Sequence, residues 1–194
     1  MTTSTKSSGG WTTQRTQRLG SNDNSLGAVA GSSPTDVWAV GNFLPSAKHS
    51  NQDATLSFAE HYNGTKWSVV RTPNAGPNFN SFYGLTAAGG GAWAGKWAVA
   101  HLPAVPGGAD WSNLYGLSSS GASVWAVGTY VDPKTDNNNV LFLHEANGTW
   151  TINNAPNPGS GSNIPGGITA IDGQLWMAGT YDNGGSRLPL VEHH

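Results

Sequence analysis

Apolar and polar residues alternate along this chain in short runs, and no window carries a 3.6-residue period. The runs are rich in Val, Trp, Thr, Phe and Tyr and are bounded by Gly, Pro, Asn and Asp, the pattern of strands separated by turns. Asp36-Val37-Trp38-Ala39-Val40-Gly41 organises the rest because it returns. It comes back as Ser123-Val124-Trp125-Ala126-Val127-Gly128, loosely as Gln174-Leu175-Trp176-Met177-Ala178-Gly179, and shortened as Gly91-Ala92-Trp93-Ala94-Gly95. A second signature follows in turn: Asn63-Gly64-Thr65-Lys66-Trp67, Gly95-Lys96-Trp97 and Asn147-Gly148-Thr149-Trp150. A repeat of this length signifies a solenoid, a propeller or an array.

The first copy predicts four strands, A to D, at 26–30, 37–40, 55–61 and 67–71. Asn63-Gly64 closes C onto D as a type I′ hairpin, which needs positive φ at both residues. The third copy repeats the set at 115–118, 124–127, 140–145 and 150–153. The fourth has 167–170, 175–178 and 188–194 and stops short of strand D; Gly9-Gly10-Trp11 supplies the missing piece at the other end of the chain, where 11–17 reads as a lone strand. The second copy has lost everything between Ala94 and Lys96 and keeps two strands, 83–87 and 97–101. The predicted fold is therefore all-β, a β-propeller of four-stranded antiparallel blades. Each chain carries three full blades plus one degenerate blade, the ring being closed by N- and C-terminal strands within one chain or across a dimer. Closure removes exposed strand edges. Residues 1–8 read as a flexible tail and 9–194 as a single propeller domain. Three blades and a stub fall at or below the usual minimum of about four, so a homo-oligomer, a dimer, is expected.

Composition narrows the function. Charged residues make up 10% of the chain and the net charge is -2, with no basic stripe of the kind that nucleic acid requires. Cysteine is absent, which removes disulfides, thiolate metal sites and cysteine nucleophiles. No apolar run is long enough for a transmembrane helix, so membrane insertion is not expected. Residues 1–10 lack the apolar core of a signal peptide, which leaves a cytoplasmic protein or a mature or excised form.

Eight of the nine tryptophans fall on the repeat and are expected to pack within and between blades. Trp111 stands off it, in the polar connector Gly107-Gly108-Ala109-Asp110-Trp111-Ser112-Asn113 between strands D and A. Counting five residues back from the strand-A glycines Gly27, Gly84, Gly116 and Gly167 gives Asn22, Phe79, Trp111 and Ser162. These positions are expected to ring the mouth of the central channel, on the face of the long D–A and B–C loops. Trp111 and Phe79 are the candidate stacking platforms, with Asp110, Asn80, Asn113 and Asn22 as polar ligand-binding partners. His61 and His193 share a repeat position, with His144-Glu145 reversed beside Asn147-Gly148; recurrence in each blade marks architecture, whereas catalysis needs asymmetric roles. Glu60 and Glu192 could be imagined as a glycosidase pair, but the repeat explains them too. Asp132, Asp136 and Asn137-Asn138-Asn139 form an oxygen-rich loop of calcium type without EF-hand spacing. No GxSxG or Walker loop occurs. Neither a catalytic residue, a metal nor a cofactor is expected.

Val-Trp-Ala-Val-Gly, then Glu-His-aromatic-Asn-Gly-Thr-x-Trp and a Pro-Asn turn (Pro73-Asn74, Pro156-Asn157), resembles bacterial Trp-rich β-propeller repeat proteins, broadly kelch-like or galactose-oxidase-propeller-like. The resemblance spans 9–194. It implies a propeller and an extracellular or cell-surface protein that binds glycans or proteins; none of the copper or glycosidase chemistry of such families can be placed on this chain. The expected function is thus non-catalytic binding of carbohydrate or another polar ligand through the D–A/B–C loop face. A structural, self-assembling propeller protein is the alternative, and a lyase or glycoside hydrolase the third reading.

Overall fold

The computed structural model describes residues 5–6, 12–20, 23–45, 54–75, 80–87, 97–108 and 111–194. The chain divides into two compact units, 1–85 with 91–99 and 86–90 with 100–194. Among the described residues both are built from antiparallel strands and short turns.

In the first unit β1 (Thr5–Lys6) pairs with β2 (Thr12–Thr13) in a short ribbon. A four-stranded meander follows, β3 (Asn24–Ser33), β4 (Asp36–Phe43), β5 (Leu56–Tyr62) and β6 (Trp67–Val70). Two expectations change here. Residues 14–19 are irregular rather than strand, and Gly9-Gly10-Trp11, expected to complete the fourth copy, lie outside the described residues. The Asn63-Gly64 turn has positive φ at Gly64 alone, because the Asn63 side chain, accepting the N–H groups of Thr65 and Lys66, holds a longer loop closed.

The second unit carries β7 (Ser112–Ser120), β8 (Ser123–Val131), β9 (Asn138–Ala146) and β10 (Thr149–Asn153) as a second meander. The last sheet has three strands, β11 (Asn163–Ile171), β12 (Gln174–Asn183) and β13 (Ser186–His193). Asn147-Gly148 is a true I′ turn, with φ 54° and 80°. Where the repeat predicts a long B–C loop between the strands at 175–178 and 188–194, β12 and β13 join through a two-residue turn, Gly184-Gly185, at φ 62° and 89°. The described architecture is thus all-β, with two complete four-stranded sheets and one three-stranded sheet. The two strands expected of the degenerate copy do not form: 83–87 and 97–101 make no ladder. With strand C deleted, neither has its sheet partner, and the contact of 86–87 with β7 runs through the Ser119 hydroxyl, which donates to the Ala87 carbonyl at 2.8 Å. They pack by side chain instead, with Trp97 edge-on to Trp38 and tilted against Phe82.

Alternation along β8 and β9 divides the core of the second unit into two layers. Ala126, Leu141 and Leu143 point one way, toward Val105, Trp150 and Ile152. Val127, Val140 and Phe142 point the other, onto Leu175 and Met177 of the last sheet. The two sheets approach closely: a Cβ on Gly116 would lie 2.9 Å from the Gly167 Cα.

Candidate functional site

Cross-strand register gives the repeat its physical meaning. Trp38 faces His61, Trp125 faces His144, and Trp176 faces His193. The first two pairs stack at 4.3 and 3.8 Å between centroids, and the third is tilted by 32° at 4.9 Å. His144 therefore occupies the same position as His61 and His193, while Leu143 stands where the other sheets have Glu60 and Glu192. Only the first pair has a carboxylate two residues before the tryptophan; Ser123 and Gln174 stand there in the others. Asp36 Oδ1 accepts from His61 Nε2 at 2.7 Å, and Oδ2 accepts from the Ser32 hydroxyl. Those two bonds hold the Asp36 carboxyl below the ordinary range. Because Ser32 bonds the aspartate and not the imidazole, the trio lacks the order of an acyl-transfer triad, in which the histidine lies between hydroxyl and carboxylate.

Glu60 is completely buried. Its Oε1 accepts the Gln17 N–H at 2.8 Å, while Oε2 has no donor among the described residues. Burial pushes its carboxyl above the ordinary value, partly opposed by the Gln17 N–H and the Thr16 hydroxyl. Burial pushes Glu192 the same way. Each binds a proton more readily folded than unfolded, so stability falls as pH rises from the ordinary carboxylate value through the raised folded value, and is level above it. The protein should melt at a higher temperature near ~pH 5 than near ~pH 8. Glu60→Gln with Glu192→Gln should flatten that slope; a slope unchanged in the double variant would place its origin in other groups.

Of the expected ligand residues, Asn22, Phe79 and Asp110 lie outside the described residues. The equivalence that singled out Asn22 is displaced by one. Ala28, Gly116 and Gly167 face Val40, Val127 and Ala178, so Ala28, not Gly27, is the strand-A equivalent. Hydrogen bonds agree: the carbonyls of Asp23, Trp111 and Ser162 accept the N–H of Leu44, Val131 and Asp182. Asp23 thus takes the place expected of Asn22. The Asn80 amide is engaged locally, its N–H and Nδ2 both donating to the Thr55 carbonyl in the first unit. Ser162 serves as a clamp, its hydroxyl accepting the Asn138 N–H at 3.1 Å. In the oxygen-rich loop, Asp132 accepts the Lys134 N–H through Oδ1 and the Asn139 amide through Oδ2, which makes it a turn-former. Trp111 differs from all of these. It is 72% exposed, immediately before β7, with Asn113 two positions on and also exposed. Its backbone is held by Val131, so a large ring stands in solvent on a fixed strand end.

No family model matches this chain, and no curated protein matches it. A solved chain described as YCF48 bound to D1 peptide aligns with 85% of this chain and 39% of its own length, at 14% identity and a TM-score of 0.29. This chain therefore spans well under half the length of that one.

Sequence reasoning missed one feature of the second unit. A cavity of about 140 Å³ lies beside β13, lined by Phe142, Ile168, Leu175, Met177 and Glu192 together with the connector 154–156 and the two terminal histidines. Its one carboxylate is Glu192, not the pair that glycoside hydrolysis uses. Among the described residues β13 is an edge strand of its sheet, and the cavity lies beside it.

Proposed function

We propose that the protein is a non-catalytic, carbohydrate-binding β-propeller, lectin-like and secreted or displayed on a cell surface, whose ligand sits on the end of the sheets that carries the D–A and B–C loops. In this reading the three sheets are blades of a Trp-rich, kelch-like ring closed by the terminal strands, within one chain or in a dimer, and no cofactor takes part. The supporting observation is Trp111. A tryptophan held in solvent by its own backbone presents a flat apolar face to a sugar ring, while exposed Asn113 offers an amide that both donates and accepts. Phe79 and Asp110 belong to the reading by their place in the sequence. The test is a glycan array with Trp111→Ala beside the native protein. Binding should fall at least about tenfold, a loss of roughly 1.4 kcal/mol, with an unchanged melting temperature. Equal glycan binding by the two proteins would reject the reading.

A second reading, self-assembly, is favoured by one face of the last sheet. Ile171, Trp176 and Val191 share that face and are 54%, 38% and 68% exposed. The corresponding face of the sheet before it, with Val127 and Phe142, is covered by Leu175 and Met177. Light scattering on the native chain separates the readings, since a mass that grows beyond a dimer with concentration, in the absence of any glycan, belongs to self-assembly alone.

A further inference from the structure

Glu60 and Glu192 occupy one position of the repeat, each immediately before the histidine that faces a tryptophan. Each is preceded in the chain by a connector that follows a repeat tryptophan. Thr16 and Gln17 stand five and six places after Trp11; Ala155 and Pro156 stand five and six places after Trp150. The two connectors treat their carboxylates differently. At Glu60 the Gln17 N–H donates to Oε1 at 2.8 Å. At Glu192 the matching residue, Pro156, has no N–H and cannot give that bond. Ala155 and Pro156 both line the cavity beside Glu192, and Glu192 Oε2 is buried with no donor among the described residues.

A buried carboxylate oxygen without a donor costs free energy that a ligand bringing the donor recovers. The rest of the cavity decides what carries that donor. Phe142, Ile168, Leu175 and Met177 form an apolar wall, and about 140 Å³ is close to the volume that takes up a single benzene-sized ring. We infer that this cavity binds a small aromatic amine, its ring against Phe142, Leu175 and Met177 and its ammonium N–H on Glu192 Oε2. The charge of the carboxylate selects a cation over a neutral ring and turns away an aromatic acid. In the first unit one oxygen of the same carboxylate, Glu60 Oε1, is held by the chain's own Gln17 N–H. This site is separate from the Trp111 end of the sheets and stands or falls independently of the glycan reading.

The experiment is a titration of the full chain with benzylamine, toluene and benzoate, followed through the methyl resonances of Met177, Leu175 and Ile168. Benzylamine should move these signals saturably, at least ten times more tightly than toluene, and benzoate should leave them in place. Glu192→Gln, which keeps the shape of the cavity, should lower the benzylamine affinity at least tenfold and leave that for toluene unchanged. Pro156→Gln, which restores the backbone N–H found at Glu60, should weaken benzylamine in the same way. Equal affinity of the native chain for benzylamine and toluene would overturn the inference. So would a Glu192→Gln protein that keeps its affinity for the amine, or benzylamine shifts confined to residues outside the cavity.

Discussion

Gly128→Ala should lower the stability of the second unit by at least about 3 kcal/mol, the upper range for forcing extra atoms into a packed site. Gly128 lies opposite Leu114, where the register of β7 and β8 shifts before Gly116. A Cβ there would stand 1.8 Å from the Asn113 carbonyl oxygen and 2.7 Å from the Leu114 Cα. Both obstacles are backbone, so no side-chain rotation relieves the clash, and the strand could retreat only by giving up ladder hydrogen bonds. The same collision recurs at Gly41, 1.8 Å from the Ser25 oxygen, and at Gly179, 2.2 Å from that of Ile164. The glycine that ends each Val-Trp-Ala-Val-Gly copy is therefore imposed by the bulge of the neighbouring strand. Gly167→Ala is the control, because a Cβ there meets nothing within 4 Å. It should shift stability by no more than about 0.5 kcal/mol. Urea denaturation of the two variants checks the pair, and equal midpoints would show that the bulge yields.

That glycine also shows which parts of the molecule could be read from the chain alone. Val-Trp-Ala-Val-Gly marks β4 and β8, and its loose copy marks β12, because alternation and a bulge glycine are local properties of one strand. The length of the last hairpin was misread, since Asn183 and Ser186 are polar and yet pair across Gly184-Gly185; exposed strand ends carry no apolar signal. The remnants 83–87 and 97–101 look like strands in composition, but a strand is completed by its neighbours, and the deletion removed them. The candidate site followed the same division. Exposure of Trp111 was legible as an aromatic residue out of phase with the repeat. The cavity at Glu192 was not, because its character comes from Ala155 and Pro156, distant in sequence and bland in chemistry. The effect of Pro156 is visible only beside Gln17 at Glu60.

Trp125→Ala carries the other large expectation, a loss of about 3 kcal/mol, the lower end of the range for truncating a buried aromatic residue because the ring is only half-buried. Trp125 is stacked on both cross-strand neighbours of its own face, Phe142 at 5.2 Å and His144 at 3.8 Å with 10° between the planes. It also packs against the cluster of Val127, Val140, Leu175 and Met177 that joins the two sheets of the second unit. Removing the indole therefore affects two levels together, the β8–β9 ladder and the contact between sheets. His144 adds to the loss, since its Nε2 is buried without a partner among the described residues and its ring is held by stacking rather than by a hydrogen bond. At the equivalent place in the first sheet Asp36 would still hold His61 after Trp38→Ala, so that substitution should cost less than Trp125→Ala by about 1 kcal/mol, the usual net value of one such bond. Hydrogen exchange separates the outcomes: in Trp125→Ala the amides of β8, β9 and β12 should lose protection together, while those of β4 and β5 keep theirs. Equal losses at Trp38 and Trp125 would mean that the Asp36–His61 bond adds nothing to the stack, and the tryptophan–histidine pair would then be the whole of the repeat's cross-strand support.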